Sequence, residues 1–440
     1  MSDSIIRPYP PRLADPHEPG VLAHYTFGDG ELAQFGRYLN HHADYGAALD
    51  LPTRTGCPLV GQGGGVYVNN SAGTDTWGRA TPVPVTPTAQ THVLECEHTT
   101  AATATRYPYM NGSASSAYAM FRAVAPWASF SLNAAVTQVS SGINALGRGP
   151  LQYALGYDAA TGEQFLMLSG REVGRIAVVP GAVAGLHCYG NHGTFRRAKI
   201  YNINLTPAQI RATYVREFAR ELIYAWRPER VGEGPAGGIP TGAVGEGDYF
   251  CPLGAATLRF DFVRSARLAS GGVLALANAG ALGSERLAFT HPKAAAFGSW
   301  SWGLLANDLT CQPMVGLAPQ RTNWLAAAGS GCYYTIVYVN AGVWTVVLAR
   351  ENGGALLTVT HPTAAAVGDL VSVRFSRHPS GDWRLRLIVN GVVASSAAVA
   401  NDVTYLHSNY VVVAPRKGQI LGVVRHQGEA EPEEVAAPRW

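Results

Sequence analysis

The chain has 440 residues, 47% of them hydrophobic and only 14% charged, with a formal net charge of +3. That is enough apolar material for two separate cores, and it excludes a disordered chain. The mild charge and the lack of a Lys/Arg block exclude a nucleic-acid partner, and no run of about 18 uncharged apolar residues offers a membrane-crossing helix.

The first 20 residues, MSDSIIRPYPPRLADPHEPG, hold five prolines and read as an extended arm. They lack a basic segment followed by an apolar one, so no secretory signal is expected and synthesis in a cytoplasm is. From Val21 the segments VLAHYTF, GVYVNN, THVLECEH, WASFSLNAAV, LQYALGY, EQFLMLSG, GRIAVV and FRRAKIYNINL read as strands separated by Gly, Ser, Thr, Asn and Pro. The last of them hands over to a helix. Thr206 stands at the N-cap position, Pro207 at the first helical position, and Ile210, Tyr214, Phe218 and Leu222 recur every four residues. The helix is predicted over Pro207 to Trp226, stopped by Pro228, and its apolar stripe either covers its own sheet or forms an oligomer interface.

Residues 227–247 are rich in Gly and Pro and are predicted to be a linker. A second run of strands, ATLRFDFV, GVLALAN, RLAFTH, GSWSWGLLA, YYTIVYVN, VWTVVLAR, ALLTVTH, DLVSVRFSRH, WRLRLIVNGVV, NYVVVA and QILGVVRH, fills 248–428, and 429–440 form a polar, acidic tail expected to fray or to dock on a partner. The halves are alike: WASFSLNAAV answers FGSWSWGLLA, and TGEQFLMLSGREV answers SGDWRLRLIVNGVV. Duplication of one domain is the reading. The six cysteines divide three and three between the halves (Cys57, Cys96, Cys188; Cys251, Cys311, Cys332), which argues for free thiols rather than a disulfide framework.

IYNINLTPAQI, with Ile200, Tyr201, Asn202, Leu205, Thr206, Pro207 and Ile210, resembles the C-terminal signature of laminin-G-like, concanavalin-type jelly-roll domains. LAHYTFGDG resembles that family's opening strand, and Trp383, Leu385, Leu387, Asn390 and Gly391 fit its late hairpin. The resemblance implies an all-β fold: two tandem concanavalin-like (laminin-G-like) antiparallel β-sandwich jelly rolls, over 21–226 and 248–428, with one helix closing the first. VVRHQGEAEPEEV departs from the family by lacking the Leu-Thr-Pro cap. Two such domains, a Pro-rich arm and sparse charge resemble a bacteriophage virion protein. That implies a non-enzymatic structural role on a head, fibre or tail, located in the virion, with other virion proteins as partners and homo-oligomers expected.

Glu95 and Glu97 in ECEH stand two apart on one predicted strand face, as a glycoside hydrolase or depolymerase pair would; acids so spaced are also common on exposed strands, and no catalytic residue is assigned. Tyr67, Asn69, Asn70, Asp75 and Trp77, with Tyr107 and Tyr109, combine aromatic and amide side chains suited to a host glycan, the alternative function. Glu95, Cys96, Glu97 and His98 with His187, Cys188 and His192 do not match a zinc-finger spacing. No cofactor is expected from the residues; the resemblance admits calcium, with Asp29, Asp44, Asp50 and Asp75 as candidates that form no Asp-x-Asp-x-Asp loop.

Overall fold

Strands occupy both halves of the computed structural model, which describes residues 18–27, 88–98, 150–177, 193–226, 297–319, 331–394, 400–405 and 410–430, positions 143 and 179, and the backbone of shorter strands between them. Contacts divide the chain into two compact units, Met1–Leu146 with Pro150–Tyr214, and Gly147–Gly149 with Val215–Trp440. The protein is all-β, built of antiparallel sheets in a jelly-roll style, with one α-helix among the described residues.

The first unit contains β1 (Val21–Tyr25), β2 (Arg37–Tyr38), β3 (Leu51–Pro52), β4 (Val66–Val68), β5 (Thr76–Gly78), β6 (Thr91–His98), β7 (Arg106–Asn111), β8 (Ala119–Ala123), β9 (Ser129–Ser131), β10 (Gln138–Ser140), β11 (Pro150–Asp158), β12 (Glu163–Leu168), β13 (Arg171–Ile176), β14 (Leu186–Tyr189), β15 (Gly193–Tyr201) and α1 (Pro207–Tyr214). One sheet runs β1-β15-β6-β11-β12-β13, with β4 also bonded to β15, and a second runs β10-β9-β8-β7-β14-β5. The opening strand thus lies against the closing one, Ala23 opposite Ile200 and Tyr25 opposite Ala198.

Side chains of the first sheet alternate as the period of two demands. Leu94 and Cys96 stand opposite Tyr153 and Leu151 on one face, all four buried. The other face carries Val93, Ala154, Phe165 and Met167, which pack with Ile210 of α1. Phe165 lies opposite Gly156, where a Cβ would meet its ring at 2.2 Å; only glycine leaves room for the ring. The helix begins as a reciprocal cap: Gln209 N–H donates to Thr206 Oγ1 at 3.3 Å, and Thr206 N–H donates to Gln209 Oε1 at 2.8 Å.

The helix is shorter than its stripe suggested. It ends at Tyr214, passes into a π-helical turn over Val215–Ala219, and gives way to a strand at Leu222–Trp226. LIYAW carries β-branched Ile223 and aromatic Tyr224 and Trp226, and it finds strand partners on both sides, which outweigh a four-residue spacing. Those partners belong to the second unit, so the chain crosses into that unit before the predicted linker. Of that linker, 227–244 lie outside the described residues and 245–247 already belong to a strand.

The second unit contains β16 (Leu222–Trp226), β17 (Gly245–Phe250), β18 (Thr257–Arg264), β19 (Ala266–Ala269), β20 (Gly272–Ala275), β21 (Arg286–Thr290), β22 (Gly298–Leu305), β23 (Met314–Ala318), β24 (Tyr333–Asn340), β25 (Val343–Arg350), β26 (Gly354–Ala364), β27 (Leu370–Arg377), β28 (Asp382–Val389), β29 (Val392–Val393), β30 (Ala400–Asn401), β31 (Tyr410–Ala414) and β32 (Gln419–His426). One layer pairs β32-β22-β27-β28 and the other β21-β31-β23-β24-β25-β26. The core between them holds Trp300, Trp302, Trp344 and Trp383. Trp302 Nε1 donates to Thr335 Oγ1 at 2.8 Å and Trp344 Nε1 to Asp369 Oδ2 at 2.7 Å, so both indoles are buried with a partner. The hairpin after β28 turns through Asn390 and Gly391, both at positive φ (49° and 81°), the pairing a two-residue primed turn demands.

Glu18 accepts from Lys199 Nζ and from the Tyr201 hydroxyl, each at 2.8 Å, so the arm is anchored where β1 starts; residues 1–17 lie outside the described residues. Of the predicted tail, Glu429 and Ala430 are fully buried, and 431–440 lie outside the described residues. The described cysteines, Cys96, Cys311 and Cys332, are free and buried.

Candidate functional site

The Glu95/Glu97 pair sits on β6 beside β15. A bulge in β15 between Phe195 and Arg197 brings two consecutive arginines to bear on the two acids. Arg197 Nε donates to Glu95 Oε2 at 2.5 Å, and Arg196 NH2 to Glu97 Oε2 at 3.1 Å. Glu95 is 3% exposed. Each carboxylate is therefore matched by a guanidinium on the neighbouring strand, an arrangement that fastens the closing strand to the sheet. His92, on the same strand, is buried and held neutral: burial pulls its pKa down to about 3.

Of the glycan candidates, Trp77 lies on β5 and Tyr107 and Tyr109 on β7, and β14 pairs with both strands. Cys188 stands opposite Trp77, and His187 opposite Met110, the neighbour of Tyr109. The topology thus brings the Trp77 and Tyr109 strands to either side of one strand. Tyr67 is on β4, in the other sheet, opposite Thr194. Asn69, Asn70 and Asp75 lie outside the described residues, as do Asp29, Asp44, Asp50 and His192. Among the described residues no group of three His, Cys, Asp or Glu side chains is placed to hold a metal ion; Cys96 faces the sheet core, and Cys188 belongs to the other sheet.

The helix stripe is spread over two kinds of structure. Ile210 packs in the first unit's core with Val21, Val93 and Leu205. Tyr214 and Phe218 are buried, and Leu222, half-buried, is the first residue of β16.

No protein-family model matches the sequence, and no curated protein matches it. Among solved structures the chain is similar to a native heptameric SAP-like pentraxin from Limulus polyphemus, at 12% identity over 30% of this chain and 62% of that one, with a TM-score of 0.22. It is also similar to a legume lectin-like domain from Entamoeba histolytica, at 10% identity over 38% and 85%, with a TM-score of 0.27. A third is the binding domain of botulinum neurotoxin DC in complex with SialylT, at 7% identity over 94% and 96%, with a TM-score of 0.34. The chain covers less than two thirds of the pentraxin's length.

Two features of the second unit have no counterpart among the residues singled out from sequence. The five adjacent strands β31, β23, β24, β25 and β26 contain a single Asp, Glu, Lys or Arg, which is Arg350 at the end of β25. Their outer side includes exposed Thr358 and Thr360 and half-buried Tyr338 and Val347. The signal was present in the uncharged run 352–368; its meaning depended on knowing that the other uncharged strands lie beside it.

The second feature is a buried polar clamp. Arg377, 2% exposed, donates to the carbonyl oxygens of Tyr405 and Asp402 at 2.7 and 2.9 Å. It lies over the rings of Tyr333 and Trp383 at 4.9 and 5.1 Å. Tyr333 donates to Asp402 Oδ1 at 2.5 Å, and Arg350 to Asp402 Oδ2 at 2.8 Å. Burial pushes the Tyr333 phenol up. Burial also opposes ionisation of Asp402, but the hydrogen bonds from Tyr333 and Thr404 and the Arg350 charge hold its carboxyl below the usual range. The clamp pins the segment after β30 to the core.

Proposed function

We propose that the protein is a non-enzymatic structural component of a virion that acts through protein–protein assembly. The observation that carries this reading is strand β26, which has no Asp, Glu, Lys or Arg and exposes Thr358 and Thr360. A protein that stays single in solution ordinarily places charge on an exposed strand to discourage association, and β26 does not. The engagement of Glu95 and Glu97 by arginines supports a scaffold reading of that pair over a hydrolytic one. The test is sedimentation of purified protein with particles assembled without it. Saturable co-sedimentation is expected, lost in a Thr358→Lys/Thr360→Lys variant that keeps its melting temperature. A monomer that never joins particles refutes the reading.

The alternative, a glycan-binding host-attachment module, is favoured by the flanking of β14 by the strands of Trp77 and Tyr109. Binding to a glycan array that disappears in Trp77→Ala and Tyr109→Ala supports it, and an array blank with wild-type protein refutes it.

A further inference from the structure

Among the described residues seven large hydrophobic side chains are exposed, and five of them, Leu309, Val367, Leu370, Val392 and Val393, gather at one end of the second unit. Bonds between turns far apart in sequence hold them there. Gly368 N–H donates to Ala306 O at 2.8 Å and Ala306 N–H to Asp369 O at 3.0 Å, which joins the loop of Leu309 to that of Val367. Leu370 N–H donates to Asn390 Oδ1 and Asn390 N–H to Leu370 O, each at 2.9 Å, which brings in the turn leading to Val392 and Val393. Thr363 N–H donates to His361 Nδ1 at 3.2 Å, so the other ring nitrogen, Nε2, is the one that donates to Val392 O at 3.1 Å.

Aliphatic side chains gathered on exposed turns mark a surface that meets something other than water. Two properties say what. The first is the backbone. The N–H groups of Thr363, Ala365, Ala366, Gly368, Asp369 and Leu370 all find acceptors within the fold, and Pro362 has none to offer. A loop that faces water can leave such groups to the solvent, whereas a loop that enters an apolar phase must satisfy them internally. The second is charge. Turns 340–343, 361–370 and 390–393 hold a single Asp, Glu, Lys or Arg, the buried Asp369. Charge returns at the rim, where Arg416 and Lys417 form the turn between β31 and β32. That turn is tied to the Leu309 loop by Gln312 N–H, which donates to Arg416 O at 3.0 Å, and by Lys417 Nζ, which donates to Thr310 Oγ1 at 3.1 Å. Asp308, which accepts from Thr310 N–H at 2.7 Å, is the acid beside them. Two cations against one anion leave the rim positive. Narrow turns at the end of a sandwich also offer little area for a specific protein interface, which buries about 1,200 Å² or more.

We propose that this end of the second unit docks on an anionic lipid bilayer. The aliphatic side chains enter the boundary between headgroups and acyl chains, and the basic rim faces the lipid phosphates. Uncharged aliphatic tips backed by basic residues combine the two terms that hold a protein at a bilayer surface without spanning it, buried apolar area and attraction to anionic lipid. A single tip of this size holds weakly, and several copies on one particle would hold together far more strongly. The inference stands apart from the assembly reading, which rests on Thr358 and Thr360 of β26 and needs no lipid.

The probe is vesicles of phosphatidylcholine and phosphatidylglycerol at about 7:3, mixed with full-length protein and floated through a density gradient. Wild-type protein is expected to float with them, and less with vesicles of phosphatidylcholine alone. Val367→Ser/Val392→Ser, which adds no charge, is expected to weaken binding about 10-fold, and Lys417→Ala about 5-fold. Both valines are more than half exposed, so the serine variant is expected to keep its melting temperature. Should it melt earlier, Val367→Ser alone replaces it, with an expected loss of about 3-fold. If wild type floats with neither vesicle, or if the folded serine variant floats as well as wild type, the inference is overturned. Light scattering without vesicles tests the other occupant: an oligomer that the serine variant dissociates would make this end a contact between copies and overturn the lipid site. No particle is present in these experiments, so failure to float leaves the assembly reading standing, and a particle-inert protein that floats removes only that reading.

Discussion

Replacing Asp369 with alanine tests the account of the second unit's core most directly. Its carboxylate is 7% exposed and accepts from Trp344 Nε1 at 2.7 Å, Ala366 N–H at 2.8 Å and Asn390 Nδ2 at 2.8 Å. It thereby joins the core indole to two turns. Water can replace it at Ala366 and Asn390, so each of those bonds is worth about 0.5–1 kcal/mol, whereas the fully buried Trp344 N–H is left unsatisfied at about 1–3 kcal/mol. The expected loss is about 2–5 kcal/mol, read from urea unfolding of the full chain by tryptophan fluorescence at pH 7. Asp369→Asn, which keeps one acceptor oxygen, is expected to lose about half as much. Burial works against ionisation here, but the bonds from Trp344, Ala366 and Asn390 and the nearby His361 outweigh it and hold the carboxyl below its usual range. A folded pKa below the unfolded one means stability that is complete above about pH 4 and fades as pH falls through the lower folded value. The gap between wild type and Asp369→Asn should therefore narrow only below about pH 4. A loss under about 1 kcal/mol for alanine, or a gap unchanged down to pH 3, refutes the reasoning.

Gly170 and Gly162 both have positive φ (76° and 71°), but a Cβ on Gly170 would lie 2.5 Å from buried Tyr214, while one on Gly162 meets nothing within 4 Å. Gly162→Ala should cost about 1 kcal/mol from backbone strain alone and Gly170→Ala clearly more, a ranking that thermal melts would reverse or erase if α1 does not sit as described. Glu95→Gln should destabilise by about 1–3 kcal/mol and Glu97→Gln by less, since Glu97 is the more exposed partner; equal effects in denaturant melts would contradict the geometry. His92 titrates near 3 when folded and near 6.5 when unfolded, so its contribution is complete above pH 6.5 and is lost as pH falls toward 3. His92→Gln should flatten the stability profile between pH 6.5 and 4, and an unchanged slope would place the titration elsewhere.

Much of the fold was legible from local pattern. Alternation marked β6, β11, β15, β24 and β28, Thr206 and Pro207 marked the helix start, and the resemblance put Asn390 and Gly391 in a hairpin. These are short-range signals, set by the side-chain period and by which residues tolerate a given φ. The helix end was not legible. Leu222 continues a helical spacing, and only the pairing of Leu222–Trp226 with β17 and β32, the latter about 200 residues away in sequence, makes it a strand. The same limit governed the candidate sites. Glu95 and Glu97 looked like a pair on a free strand face, and nothing nearby in sequence announced that a bulge would bring Arg196 and Arg197 to meet them.

By itself, then, the sequence determined the all-β class, the style of both halves and the position of the helix cap, because these follow from each residue's own backbone preference and polarity. Tertiary structure alone decided which unit β16 joins, which carboxylates are neutralised, and that uncharged strands distant in sequence form one layer. It also placed Glu429 3.5 Å from Arg384 of β28, a strand that ends some forty residues earlier. Those outcomes depend on strand register, and register is a property of two segments brought together, not of either one read alone.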